Sequence, residues 1–144
     1  MKVLFIKYKI VFLVCRGSTS GMSHDHGGSP RDRYIMYRTQ YTNCTYVNGN
    51  LVIAFLDEED DYDMSFLEDI QEVSGYVFLF GNHFSYINLT NLRIIRGRSL
   101  FTTPEDSKLR SQQLSYSLFV ANNYKSKSET VGLKELRLTS LHGK

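Results

Sequence analysis

The sequence offers no recognisable catalytic constellation. There is no GxSxG, no HExxH and no phosphate-cradling glycine loop, so a hydrolase elbow, a zincin and a P-loop enzyme have no support. The two cysteines, Cys15 and Cys44, do not form CxxC, which removes zinc-ribbon and thioredoxin chemistry. Net charge is only +2, too small to argue for a nucleic-acid partner. No apolar run approaches the length of a membrane-spanning helix. Scattered His, Cys and Ser lack the convergent acid, base and nucleophile of an active site, so no enzyme activity and no cofactor are expected.

What is present is a globular chain of 144 residues, with 42% apolar and 22% charged residues, long enough for one domain with a core. The acidic run Asp57-Glu58-Glu59-Asp60-Asp61-Tyr62-Asp63 reads as a solvated loop. The calcium alternative lacks the turn glycine and flanking helices of an EF-hand. His24 and His26 form a possible metal pair, but they stand on a Gly/Ser loop with no third ligand in view. Asn43-Cys44-Thr45 and Asn88-Leu89-Thr90 are N-glycosylation sequons, which fit a secreted chain. In an oxidising compartment a Cys15–Cys44 disulfide is the natural pairing; in a reducing one both are core thiols.

The centre of the chain is residues 65–97. Two dense apolar runs, Tyr76-Val77-Phe78-Leu79-Phe80 and Leu92-Arg93-Ile94-Ile95, are short and rich in aromatic and β-branched residues, so both read as buried strands. Comparable runs centre on Val52, Leu118 and Leu136. Such recurrence, with Asn or Gly at the ends, predicts a solenoid whose coils stack strand on strand. An antiparallel sandwich competes, but few tight hairpin turns join the runs. Ser29-Pro30 followed by Tyr34, Met36, Tyr37 and Tyr41 predicts a helix over 31–41, and residues 64–70 a short helical turn. Residues 1–14 read as a poor signal-like segment, broken by Lys7 and Lys9, or as part of the first strand.

Five segments carry a resemblance. Cys15-Arg16-Gly17-Ser18, then YTNCTYVNGNL (41–51), SFLEDIQEVSGYV (65–77), LRIIRGRSLF (92–101) and GLKEL (132–136) resemble, in order, the first receptor L domain of the epidermal growth factor receptor family. The style is that of invertebrate members. The resemblance implies a mainly β protein, a right-handed parallel β-solenoid of leucine-rich-repeat-like coils with a short N-terminal helix. It implies the Cys15–Cys44 disulfide. It places residues 15–144 in one L domain, outside the plasma membrane as part of a full receptor. It implies binding of an EGF-like polypeptide growth factor, with other receptor domains and a second receptor as partners in the full-length protein.

The family's ligand-contacting positions fall here on Met22 and His24 in the loop after the first cysteine, on Phe55 and Gly81 at two strand ends, and on Ala121 with Asn122 at a third. Phe55 has a second reading as core packing, since a strand buries alternate side chains. Gly81 and Ala121 stand where the family often has larger apolar groups, which implies a shallower patch. There are departures. The tail LTSLHGK (138–144) is shorter than the family pattern, the domain's final cysteine pair is absent, and the polar stretch from Thr102 to Leu114 is long. These imply a fragment lacking its C-terminal coil, which would leave Leu136 and Leu138 exposed and the domain marginally stable. The kinase domain, the cysteine-rich region and the membrane span of the family do not occur in these 144 residues. The alternative function is a secreted or truncated solenoid that binds protein without signalling, a decoy.

Overall fold

Ser29 starts the helix. Its hydroxyl accepts from the Asp32 amide (3.2 Å) and the Asp32 carboxylate accepts from the Ser29 amide (3.0 Å), which closes a capping box around Pro30 at the first helical position. These hydrogen bonds from Ser29 hold the Asp32 carboxyl below its usual range. The computed structural model describes residues 13–19, 28–57, 62–103, 113–124 and 132–142. Within them the order is strand β1 (Val14–Arg16), helix α1 (Pro30–Tyr41), β2 (Tyr46–Asn48), β3 (Leu51–Ala54), a 3-10 turn (Ser65–Leu67), β4 (Glu72–Val73), β5 (Val77–Phe80), β6 (Tyr86–Asn88), β7 (Ile94–Ile95), β8 (Phe101–Thr102), β9 (Ser115–Tyr116), β10 (Leu118–Ala121) and β11 (Glu135–Arg137). The protein is therefore mainly β with one helix, as expected, and the helix and the short turn fall where the sequence places them. The signal-like residues 1–12 and His26 lie outside the described residues.

The helix docks through its aromatic stripe. Tyr37 and Tyr41 are buried, and the Tyr37 hydroxyl accepts from the Ala54 amide (3.4 Å) at the end of β3. Burial pushes both phenols above their usual pKa. Just past the helix, Cys44 forms a disulfide with Cys15 of β1, with Cα atoms 5.7 Å apart.

Strand pairing is parallel almost throughout. One sheet runs β1-β2-β4-β7, a second β10-β5-β3, and a third pairs β11 with β6. The β8–β9 pair is antiparallel. Ile94 lies in the first sheet, Leu136 in the third, and Val52, Phe78 and Leu118 in the second, so the five recurring runs are not one column. The reason is that a run density marks burial, not the sheet to which a strand belongs. Ile94 is also on the exposed side of β7, 37% accessible, while its neighbour Leu92 is fully buried. The main core collects Leu51, Ile53, Leu67, Ile70, Val73, Val77, Leu79, Ile87 and Leu92 from all these layers. Leu136 and Leu138, expected to be exposed by a missing coil, are half-buried against it.

Two corners are fixed by asparagine. At the first, buried Asn50 accepts from the Tyr76 amide (3.0 Å) and from the Ser99 hydroxyl (2.6 Å) through Oδ1. Gly75 makes this possible: a Cβ there would lie 1.9 Å from Asn50 Oδ1. At the second, Asn82 is fully buried. Its Oδ1 accepts from the Leu56 amide (3.1 Å), and its Nδ2 donates to the Ile53 carbonyl (2.9 Å) and to Asn123 Oδ1 (2.9 Å). Asn123 Nδ2 then donates to the Leu79 carbonyl (2.9 Å). The amides thus cross-link the ends of β3, β5 and β10.

Two outcomes follow from these links. Replacing Asn82 by Ala leaves the Leu56 amide buried without a partner and removes one hydrogen bond from the Ile53 carbonyl. It is expected to lower unfolding stability by about 1–3 kcal/mol in urea titrations. Removing the disulfide as the Cys15→Ala, Cys44→Ala pair, whose separation is 29 residues, is expected to cost about 3–4 kcal/mol in the same assay on the chain-entropy account.

Candidate functional site

The second sheet has two apolar faces. Leu51, Ile53, Val77 and Leu79 point into the main core, and the alternate residues Val52, Ala54, Phe78, Phe80 and Phe119 form a second cluster. Phe101 and Tyr116, from the antiparallel β8–β9 pair, cover part of it. Phe78 stacks on Phe119 with centroids 5.3 Å apart, and Phe101 lies 4.6 Å from Phe78. Rings at such distances add attraction beyond buried area. The cover does not reach the C-terminal strand ends, where Phe80 is only half-buried.

At those ends the candidate contact residues meet. Ala54, Phe80 and Ala121 are in register across β3, β5 and β10. The next residues, Phe55, Gly81 and Asn122, all have left-handed backbones, with φ of 57°, 66° and 55°. The three strands therefore turn away at one level. The Phe55 amide donates to the Phe80 carbonyl (3.0 Å) and the Gly81 amide to the Ala121 carbonyl (3.3 Å). Left-handed backbone is costly for a ring-bearing residue and routine for Gly and Asn. At Phe55 it is held by Arg33 of α1, whose Nη2 donates to the Phe55 carbonyl (2.7 Å).

The Phe55 ring is neither fully buried nor fully exposed. It packs edge-on to Phe80, centroids 5.7 Å apart, yet remains half-exposed. A Cβ at position 81 would lie 3.3 Å from its Cδ1, so the glycine lets the ring pack close against the turn. Ala121 is half-buried and Asn122 exposed beside it. Met22 and His24 lie outside the described residues. The sequon residues stand elsewhere: Asn43 is exposed with φ 62°, and Asn88 is half-buried at the end of β6.

Sequence reading missed Phe80 as part of this surface and Phe101 with Tyr116 as its buttress. The two-residue alternation in Val77-Phe78-Leu79-Phe80 was the available signal, because it sends two phenylalanines to the face opposite the main core. The arrangement presents apolar rings, a small-residue notch and strand-end backbone. Among the described residues no group of three or more His, Cys, Asp or Glu could hold a metal ion.

The family pattern for the receptor L domain matches residues 43–143. The chain is 37% identical over 133 residues to the epidermal growth factor receptor of Drosophila melanogaster, which covers 92% of this chain and 8% of that protein. It is 39% identical over 128 residues to the receptor tyrosine-protein kinase erbB-4 of Mus musculus, covering 89% and 9%. To the epidermal growth factor receptor of Gallus gallus it is 34% identical over 128 residues, covering 89% and 16%. The chain thus spans roughly a tenth of the length of the relatives it matches. With this match over most of its length, the chain belongs to the receptor L domain family, as an L domain of the epidermal growth factor receptor group.

Proposed function

We propose that this chain is the ligand-contacting L domain of an extracellular growth-factor receptor, and that it binds an EGF-like polypeptide at the ends of β3, β5 and β10. The observation that carries the reading is the level row Phe55, Gly81 and Ala121–Asn122, where a half-exposed aromatic ring adjoins small residues on a rigid sheet. A half-exposed ring beside a notch is the kind of anchor that dominates polypeptide interfaces. By the family resemblance, Met22 and His24 supply further contacts, pairing with extended ligand backbone. We further infer a right-handed parallel β-solenoid. Its support is the in-register parallel pairing and the amide-to-carbonyl relay from Gly97 to Gly75 to Gly49 (3.0 and 2.9 Å), which links one corner to the next. Residues 15–144 form this one domain, with Asn43 and Asn88 as glycan acceptors. In the full receptor the partners are the growth factor, neighbouring receptor domains and a second receptor.

Binding of a fluorescent EGF-like polypeptide to the secreted chain tests the surface. Ala121→Lys places a charge beside the rings on a residue with ordinary backbone. It is expected to raise Kd at least about tenfold, which is about 1.4 kcal/mol, without moving the thermal midpoint. Phe55→Ala is expected to weaken binding to a similar degree. Unchanged affinity in both variants would contradict the proposed surface.

A further inference from the structure

A second surface lies on the third sheet, away from the strand ends just described. β6 and β11 are parallel, with Tyr86 opposite Glu135 and Asn88 opposite Arg137. Strand alternation puts Tyr86, Asn88, Glu135 and Arg137 on one face, while Ile87 is fully buried on the other. In front of that outer face is a hollow of about 360 Å³, walled on one side by Tyr86, Asn88 and Arg137 and on the other by residues 62–65. Tyr86 is 44% exposed, and the guanidinium of Arg137 lies 5.2 Å from its ring centroid.

The amide of Asn88 is held in one sense. Its Oδ1 accepts from Arg137 Nη1 (3.2 Å), and its Nδ2 has no partner among the described residues. Nδ2 is the atom that an N-linked sugar uses, and Asn88-Leu89-Thr90 is a sequon. An aromatic residue two positions before the acceptor shares its strand face, as Tyr86 does here.

We propose that Asn88 carries an N-linked glycan whose first N-acetylglucosamine seats in this hollow against Tyr86, so that the carbohydrate is a fixed part of the fold. The proposal rests on the extracellular reading above, since the modification needs the secretory pathway. In the transfer, Asn88 Nδ2 bonds to the sugar C1 and loses one proton to base. The bond from C1 to the diphosphate of the lipid-linked donor breaks. Oδ1 is unchanged by this step and keeps its hydrogen bond from Arg137. The sugar's C–H face then meets the aromatic face of Tyr86, whose negative potential attracts polarised C–H groups. The Asp63 carboxylate and Ser65 hydroxyl, both in the wall of the hollow, take hydroxyl and amide partners from the sugar. Asn43 differs: it stands exposed on a left-handed turn beside the disulfide, so a sugar there extends into solvent. A seated glycan also covers the β6–β11 face and confines polypeptide docking to the other sheet.

The test uses the full chain behind a strong secretory leader in eukaryotic cells. Occupancy is read by mass spectrometry on the secreted and the retained pools, because the sugar is added to the nascent chain. Glycans are then trimmed enzymatically to a single N-acetylglucosamine. Thr90→Ser keeps the sequon and Thr90→Ala removes it. We expect Asn88 to be occupied and the trimmed Thr90→Ser protein to melt about 3 °C above Thr90→Ala, the shift a single stacking contact gives at this chain length. Tyr86→Phe is expected to keep that difference and Tyr86→Ala to erase it. The sugar's N-acetyl methyl resonance should move upfield in the parent and not in Tyr86→Ala. An empty Asn88, with or without sugar on Asn43, overturns the proposal, as does a melting difference that survives Tyr86→Ala. Growth-factor binding is measured on the same samples. Its absence alongside a seated sugar counts against the receptor reading only, and its presence alongside an empty Asn88 counts against this proposal only.

Discussion

Where β3, β5 and β10 end, the backbone turns inward and leaves peptide groups in a place that water does not reach. The Asn82 and Asn123 amides answer that constraint. One side chain satisfies a carbonyl of the preceding strand and an amide of the following corner, then passes a hydrogen bond to its counterpart one layer on. A buried peptide group without a partner costs as much as several methylenes of burial return. The three strand ends are therefore coupled: none can shift outward without opening the relay. The level row of left-handed residues above it, Phe55, Gly81 and Asn122, is the visible consequence.

That row is what gives the surface its character. Because the turn occurs at the same register in each strand, the side chains just before and at the turn lie side by side. Phe80 and Phe55 meet edge to face, Gly81 lets the Phe55 ring pack close, and Ala121 keeps the floor low. Behind them, Phe78, Phe101 and Phe119 form a packed support, so the exposed ring sits on a rigid base. The carbohydrate-bearing face proposed on β6–β11 is separate from this surface. One side of the domain would then be reserved for protein and the other shielded from it.

Much of this architecture can be read in the chain, and the failures have physical causes. The helix is legible because Ser29-Pro30 caps it and an aromatic stripe follows. β3, β5 and β10 are legible because they are apolar on both faces, a consequence of having a core on one side and a ring cluster on the other. β6 is hidden inside a polar stretch, since Ile87 alone of its three residues is fully buried. The two-residue strands β4, β8 and β9 exist through pairing with neighbours outside their own segment, which no local pattern encodes. At the site, the strand-end positions Phe55, Gly81, Ala121 and Asn122 came from family resemblance, and the structure brings them together. Their common backbone sign was not legible, because phenylalanine gives no hint of a left-handed turn. Asn82 and Asn123 read as strand-end markers. Their burial could not be foreseen for a residue type that is mostly exposed.

The central claim is that the coupled ends of β3, β5 and β10 form the polypeptide-binding surface. Hydrogen exchange of the secreted chain, with and without a saturating EGF-like polypeptide, tests it most directly. The account predicts slower exchange on binding for amides in residues 52–57, 78–83 and 118–123, with residues 86–88 and 135–137 unchanged. Protection centred on 86–88 and 135–137, or binding with no protection at the three strand ends, would contradict it.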